Sequence, residues 1–426
     1  MPNQNTSNTV STIEKVKLDV GALEIGMFVS ELDRPWEETD FFFQGFNIDS
    51  KETIDHIRDY CQFVYIDVSK EKALKLLTPK TSRQKTKTYL SAEKIVIKKQ
   101  LPLEKEIQVA EQTYRGAKKA VQSFMANVIH NKSIDIQEAR AVVGECMGSV
   151  SRNPDAMLLL SQLKNKDEYT SQHSLNVCLY SIVLGRALGL EGEGLETVGL
   201  CGMLHDMGKI RTPLKILNKA GKFTDEEHKI MKLHPTHGRD ILVSSGQKVG
   251  DEVVQAAYSH HERLDGGGYP EGHSKSDISP FSRIVTIADV YDAITSSRVY
   301  DGARSHLEAT RILIEGRGKS FDDQLVLRFI ECMGLYPPGS LIEMTNGEVA
   351  LLLENNEASR LTPKLLLIMN AQKALMPEKM IDLAKAPLDE LGQHYVISNV
   401  LPQDSYGIDI KQYFQRGLFT GRMKDK

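Results

Sequence analysis

The run His260-His261-Glu262-Arg263-Leu264-Asp265-Gly266-Gly267-Gly268-Tyr269-Pro270 concentrates groups suited to cations and phosphates. Two adjacent imidazoles, an acid and three glycines make poor core material. Imidazole is a common metal ligand, and glycine leaves no side chain to hold a phosphate away from the main chain. Taken alone, the run could also be a polar loop with incidental histidines. Further groups of the same kind are His173, the adjacent pair His205-Asp206, His234 and Asp289, on segments of helical periodicity. An adjacent His-Asp pair near the end of an apolar helix is unfavourable to bury unless a cation compensates it. Neighbouring side chains leave a helix about 100° apart, so the carboxylate can bridge two cations while the imidazole serves one. Nitrogen and oxygen donors suit Fe, Mn, Zn or Ni without choosing among them.

The elements that must carry these groups lie between residues 151 and 337. Periodicity predicts helices over 155–163, 171–188, 195–207, 225–233, 236–244, 252–259, 280–296 and 306–317. Ahead of them, Ile107, Ala110, Tyr114, Ala117, Val121, Phe124 and Val128 are spaced alternately three and four apart along 104–130, as in a coiled-coil seam. That stripe could pack on the next helix or pair with a second subunit as a homodimer. Asp135 with Glu138 forms a capping-box pattern for a further helix, which Asn153-Pro154 ends.

Outside this region the text changes. Residues 1–14 are rich in Asn, Ser and Thr and are expected to be disordered. Residues 15–75 read as a small α+β module, with strands near 15–18, 23–29 and 63–66 and a helix over 50–61. Its aromatic residues Trp36, Phe41, Phe42, Phe43 and Phe46 read as its core or as a stacking surface. A basic linker, 76–103, carries Lys80, Arg83, Lys85 and Lys87. Connecting helices fill 104–150. Beyond 338 the pattern is β: segments 341–345 and 348–353 alternate across Asn346-Gly347, a hairpin signal, and 365–369 reads as a third strand. A terminal helix completes an appendage, 338–426, in which no chemistry is evident.

A chain of 426 residues with net charge −4 accommodates two or three domains and lacks the basic balance of a duplex nucleic-acid binder. Five scattered cysteines form no Cys-x-x-Cys pair. No run of about 18 apolar residues suggests a membrane span, and residues 1–10 lack the pattern of a signal peptide. The expectation is a soluble, cytoplasmic protein.

Five motifs in order resemble the HD-GYP family of metal-dependent phosphohydrolases: Asp167-x-Tyr169-Thr170-x-x-His173-Ser174, His205-Asp206-Met207-Gly208-Lys209-Ile210, His234-Pro235-x-His237-Gly238, the glycine run above, and Asp289-x-x-Asp292-Ala293-x-Thr295-Ser296. Residues 35–46 resemble the domain of unknown function often found ahead of it. The resemblance implies a mainly α protein: an HD-type helical bundle with a small α+β N-terminal domain and a short β-containing C-terminal appendage. It implies a phosphodiesterase acting on a 3′,5′-cyclic dinucleotide, cyclic di-GMP or 3′,3′-cyclic GMP-AMP, through a hydroxide bridging two divalent metals, Fe or Mn ahead of Zn or Ni. By the same resemblance His173, His205, Asp206 and Asp289 hold one metal, and His234, His260, His261 and the shared Asp206 the other. Lys209 contacts the scissile phosphate, making Asp206 and Lys209 the catalytic pair, and Tyr269 and Arg298 contact substrate. Asp301 stands where members hydrolysing cyclic di-GMP often carry a base, which makes it a specificity residue. Tyr169 replaces the glutamate of three-metal members, so two metals are expected. Glu262, Asp265 and Asp292 are expected to orient neighbouring ligands. The competing reading is a catalytically weak receptor or scaffold, which would normally have lost ligands.

Overall fold

The computed structural model describes residues 15–67 and 98–415, apart from 24, 26, 35–38, 40–45, 49, 131, 163–168, 220, 246–248, 297–304, 335, 357–360 and 403–404. The expected disordered start, most of the basic linker, Trp36, Phe41, Phe42 and Phe43, and both Arg298 and Asp301 lie outside the described residues. The chain divides into two compact units, Met1–Lys87 and Thr88–Lys426.

In the first unit, strands β1 (Lys15–Asp19), β2 (Phe28–Leu32), β3 (Phe46–Asn47) and β4 (Phe63–Asp67) form an antiparallel sheet in the order β1-β4-β2-β3. Helix α1 (Lys51–Tyr60) starts at Ser50, whose hydroxyl accepts from the Thr53 amide. Its buried Ile54 and Ile57 pack with Leu23, Val29, Leu32, Ile48 and Val64.

The second unit opens with the long helix α2 (Leu103–Ile129). The seam residues from Ile107 to Phe124 are buried within the chain, together with Leu103, Glu106 and Ala120. The seam is thus covered within the chain, the first of the two alternatives its spacing left open. The buried face is too broad for one partner helix, and α3 (Ile136–Arg152), α4 (Pro154–Ser161) and α5 (Tyr169–Ala187) cover it. Asp135 caps α3 by accepting from the Gln137 and Glu138 amides. Helix α5 is buried on nearly every side, as expected of a central helix that is apolar all round. Helix α6 (Gly192–Leu204) stops three residues short of the expected end at 207, so His205 and Asp206 sit at its junction with a 3₁₀ turn, Met207–Arg211.

Short helices α7 (Leu214–Leu217) and α8 (Asp225–Met231) lead to α9 (His234–Ser244), α10 (Asp251–Ser259), α11 (Pro280–Thr295) and α12 (His306–Glu315). Helix α13 (Asp323–Met333) was not anticipated, although Asp322 caps it and Leu325, Val326, Phe329, Ile330 and Met333 give it one buried face.

Strands β5 (Leu341–Met344), β6 (Val349–Glu354), β7 (Lys364–Met369), β8 (Leu375–Asp382) and β9 (Ile397–Leu401) form a second antiparallel sheet, ordered β8-β7-β6-β5-β9. The hairpin turns at Gly347, whose φ of 84° favours glycine. Strand β6 is buried on both faces and contacts α4, so the C-terminal sheet packs on the bundle. Among the described residues no helix is long and apolar enough to cross a membrane.

Candidate metal centre

The centre is assembled at helix ends. His173 comes from the first turns of α5, His205 and Asp206 from the end of α6, His234 from the first position of α9, His260 and His261 from the end of α10, and Asp289 from α11. Gly208 permits the closest approach. A Cβ there would lie 1.9 Å from the His234 carbonyl oxygen and 2.4 Å from the Gly238 nitrogen. What the packing requires of Gly208 is the absence of a side chain.

Asp206 stands at the centre, 1% exposed. Its Oδ2 lies 3.4 Å from His173 Nε2 and 3.3 Å from His205 Nε2, while Oδ1 lies 3.3 Å from His234 Nε2 and 3.7 Å from His260 Nε2. One carboxylate therefore faces two histidine groups through its two oxygens. Asp289 Oδ1 is 3.1 Å from His173 Nε2, and its Oδ2 is 4.0 Å from His261 Nδ1. Two sets of three ligand atoms, from His173, His205 and Asp206 and from His234, His260 and His261, each lie within 4.8 Å of one another.

The outer ring nitrogens settle which atoms face inward. Nδ1 of His205 donates to the Gly202 carbonyl, Nδ1 of His234 to that of Met231, and Nδ1 of His260 to that of Ala257. A carbonyl only accepts, so these Nδ1 atoms carry a proton and each ring turns its Nε2 to the centre. His234 and His260 then meet Nε2 to Nε2 at 3.2 Å, two lone pairs face to face. Among the described residues His205 Nε2 and Asp206 Oδ1 are buried without a hydrogen-bond partner. Ligand atoms sharing a cation at about 2.0–2.2 Å stand roughly 3 to 3.5 Å apart. The donor set fits divalent metal ions.

The charges agree. Burial alone would raise Asp206, but the Lys209 ammonium, His205 and His173 outweigh it and hold the carboxyl well below its ordinary range. Asp289 is likewise held low against its burial, chiefly by His173 and His261. Burial pushes His234 down to about 3 despite the attraction of Asp206, and lowers His260 and His261. Neutral imidazoles and ionised carboxylates are the forms that bind metals.

Lys209 Nζ donates to Asp206 Oδ2, beside the centre. Tyr269 stacks on His261, ring centroids 4.7 Å apart, and Lys232, which the sequence did not single out, stands 5.1 Å over the tyrosine ring. Asp292 takes the Nδ1 side of His173 at 2.7 Å, as its position one turn after Asp289 predicts. Two of the three acids expected to orient ligands do something else. Glu262 accepts from the Glu271, Gly272 and His273 amides and closes the glycine loop on itself, and Asp265 accepts from the Gly267 amide. Both sit in the turn and satisfy its backbone amides. Arg263 is also drawn inward, donating to the Glu262 carbonyl and standing over the Phe321 ring. The side chain of Tyr169 is outside the described set.

The HD domain family model matches residues 157–325, and that of a domain of unknown function, DUF3391, matches residues 15–139. A cyclic di-GMP phosphodiesterase of Pseudomonas aeruginosa is 36% identical over 373 residues, 87% of this chain and 89% of its own length. A 3′3′-cGAMP-specific phosphodiesterase of Vibrio cholerae is 40% identical over 159 residues, covering 37% of this chain and 36% of its own. Among solved structures, an HD-GYP-type protein of Bdellovibrio bacteriovorus aligns over 75% of this chain and 99% of its own at 16% identity and a TM-score of 0.45. With a relative matched along nearly its whole length and the HD motifs gathered at one centre, the chain belongs to the HD-GYP family of HD-domain phosphohydrolases.

Proposed function

We propose that the chain hydrolyses a 3′,5′-cyclic dinucleotide at a centre of two divalent metal ions. The observation that carries this reading is Asp206, with one oxygen toward His173 and His205 and the other toward His234 and His260. A carboxylate so placed serves two cations at once. His173, His205, Asp206 and Asp289 would hold one ion, and His234, His260, His261 and Asp206 the other. Fe or Mn is preferred, with Zn and Ni compatible with the same donors. When bound, such a pair activates a water and neutralises charge on the phosphodiester.

The chain's own groups supply the rest. Water adds to phosphorus, the bond to the 3′-oxygen breaks, and that oxygen leaves with a proton, giving a linear dinucleotide with a 5′-phosphate. Lys209, already at Asp206, stabilises the charge that grows on the phosphoryl oxygens. Tyr269, held against His261 beside the centre, is placed to contact the base or sugar.

The named relatives act on cyclic di-GMP and on 3′3′-cGAMP, and we take both as substrates to be tested here. Arg298 can donate two hydrogen bonds to guanine or grip a phosphate. Asp301 accepts from an exocyclic amine and cannot donate to guanine O6, which favours the hybrid dinucleotide more than a lysine would. We place the protein in the cytoplasm, where its five cysteines would stay reduced. Residues 15–75 we read as a separate signal-receiving module on the 76–103 linker.

The test is product analysis on purified protein loaded with Mn²⁺ or Fe²⁺ against a panel of cyclic dinucleotides. Conversion of cyclic di-GMP, 3′,3′-cyclic GMP-AMP or both is expected, with Asp301→Lys shifting kcat/KM toward cyclic di-GMP. Tight binding of every dinucleotide without turnover would replace the enzyme by a receptor.

A further inference from the structure

One turn behind the metal centre, α5 and α11 repeat their meeting. His173 and Asp289 meet at the front, 3.1 Å apart; Asn176 and Asp292, each three residues further along, meet behind them, with Asn176 Nδ2 donating to Asp292 Oδ1 at 2.9 Å. Asp292 is fully buried and also accepts from His173 Nδ1 at 2.7 Å and from the Ser296 hydroxyl at 3.1 Å. The amide of Asn176 is in turn fixed at both ends. Its Nδ2 also donates to the Ser161 carbonyl at the end of α4, and its Oδ1 accepts from the Tyr114 hydroxyl at 3.0 Å. Tyr114, on α2, accepts from Gln172 Nε2 at 3.3 Å.

Donors and acceptors along this string have one consistent direction. Gln172 donates to Tyr114, Tyr114 to the carbonyl of Asn176, the amine of Asn176 to Asp292, and Asp292 is left with only acceptor capacity for the Nδ1 proton of His173. A reversed Asn176 amide would set an oxygen against the Asp292 carboxylate and an amine against the tyrosine hydroxyl proton.

From this geometry we infer that Tyr114 and Asn176 are positioning residues for His173, so that helix α2, outside the stretch matched as the HD domain, supports the metal centre. The inference rests on His173 being a metal ligand. Without the tyrosine proton Asn176 Oδ1 loses its partner and the amide is anchored only through Nδ2, which loosens the hold on the Asp292 carboxylate and, through it, on the His173 ring with Nε2 inward. Partners behind metal-binding imidazoles are typically worth about 10- to 100-fold in metal affinity or rate.

The test is titration of the full-length apoprotein with Mn²⁺, following free ion by electron paramagnetic resonance, for wild type, Tyr114→Phe, Asn176→Asp and His173→Ala. Unfolding temperature is measured alongside. Tyr114→Phe is expected to weaken Mn²⁺ binding about tenfold and to lower kcat with little change in KM. Asn176→Asp sets a second carboxylate against Asp292 and is expected to weaken it further. Wild-type Mn²⁺ affinity in Tyr114→Phe, with only a lower unfolding temperature, would reduce the string to core packing and overturn the inference; this variant decides alone if Asn176→Asp does not fold. Should His173→Ala bind Mn²⁺ like wild type, the ligand assignment itself fails. Loss of binding in His173→Ala beside full binding in Tyr114→Phe sinks only the positioning role.

Discussion

Asp206 is a buried acid whose ionised form is held by a lysine and a ring of imidazoles, and these interactions make it the most exacting position in the chain. Asp206→Ala removes the group that both metal sets share, so metal content is expected to fall and turnover to vanish together. Two bound metals at full activity would sink that assignment. Lys209→Ala leaves every proposed ligand in place and is expected to lower kcat by about 10² to 10³, the range for one charge-stabilising donor, without releasing metal. An unchanged kcat would show that the ammonium does not reach the phosphate. The candidate cluster was legible in the sequence because metal chemistry restricts residue type: few reasons exist to bury His205 beside Asp206, and the motif spacing could be matched to a family. Hydrogen-bond partners are not restricted in that way. Glu262 adjoins a histidine in sequence but turns to the amides of residues 271–273, and Asn176 carries no signal beyond lying one turn after His173.

At the level of elements, the centre depends on how closely the 3₁₀ turn after α6 approaches the start of α9. Gly208 lies in that turn without a left-handed backbone, so its requirement is steric; a Cβ would enter the His234 carbonyl. Gly208→Ala is therefore expected to push α9 away, destabilise the protein by about 2 kcal/mol and selectively weaken the metal that His234 would bind. Thermal unfolding with elemental analysis checks both effects. Two tightly held metals at a wild-type unfolding temperature would mean that the contact relaxes without moving His234. Element existence was legible from periodicity for most of the bundle, and ends shifted where tertiary packing decided them, as at Leu204. The long seam could not be assigned from its spacing alone. A three-four repeat describes a stripe equally well whether one partner or three helices cover it, and only the packing of α3, α4 and α5 resolves this.

On the scale of the whole second unit, the sheet beyond 338 and the bundle share a set of buried charges. Lys99 Nζ lies 2.8 Å from Asp155 Oδ2, at the start of α4, and 3.2 Å from Glu354 Oε1, at the end of β6. Asn153 also donates to Glu354, and Lys364 pairs with its other oxygen. Two carboxylates thus depend on Lys99, with unequal support: burial pushes Asp155 up against the pull of Lys99, whereas Glu354 is held down against its burial by Lys99 and Lys364. Lys99→Met deletes the cation common to both. Asp155 is then raised further above its unfolded value of about 4, so the folded state keeps a proton that the unfolded chain releases. A carboxyl raised in this way costs nothing below its unfolded pKa, and its penalty grows as pH rises until the folded pKa is passed. The variant is expected to lose about 3 kcal/mol at pH 8 and clearly less at pH 5. Unfolding of wild type and variant compared at the two pH values tests this. An equal deficit at both would remove Asp155 ionisation from the account, and no deficit at either would mean that the sheet is held to the bundle by apolar packing alone.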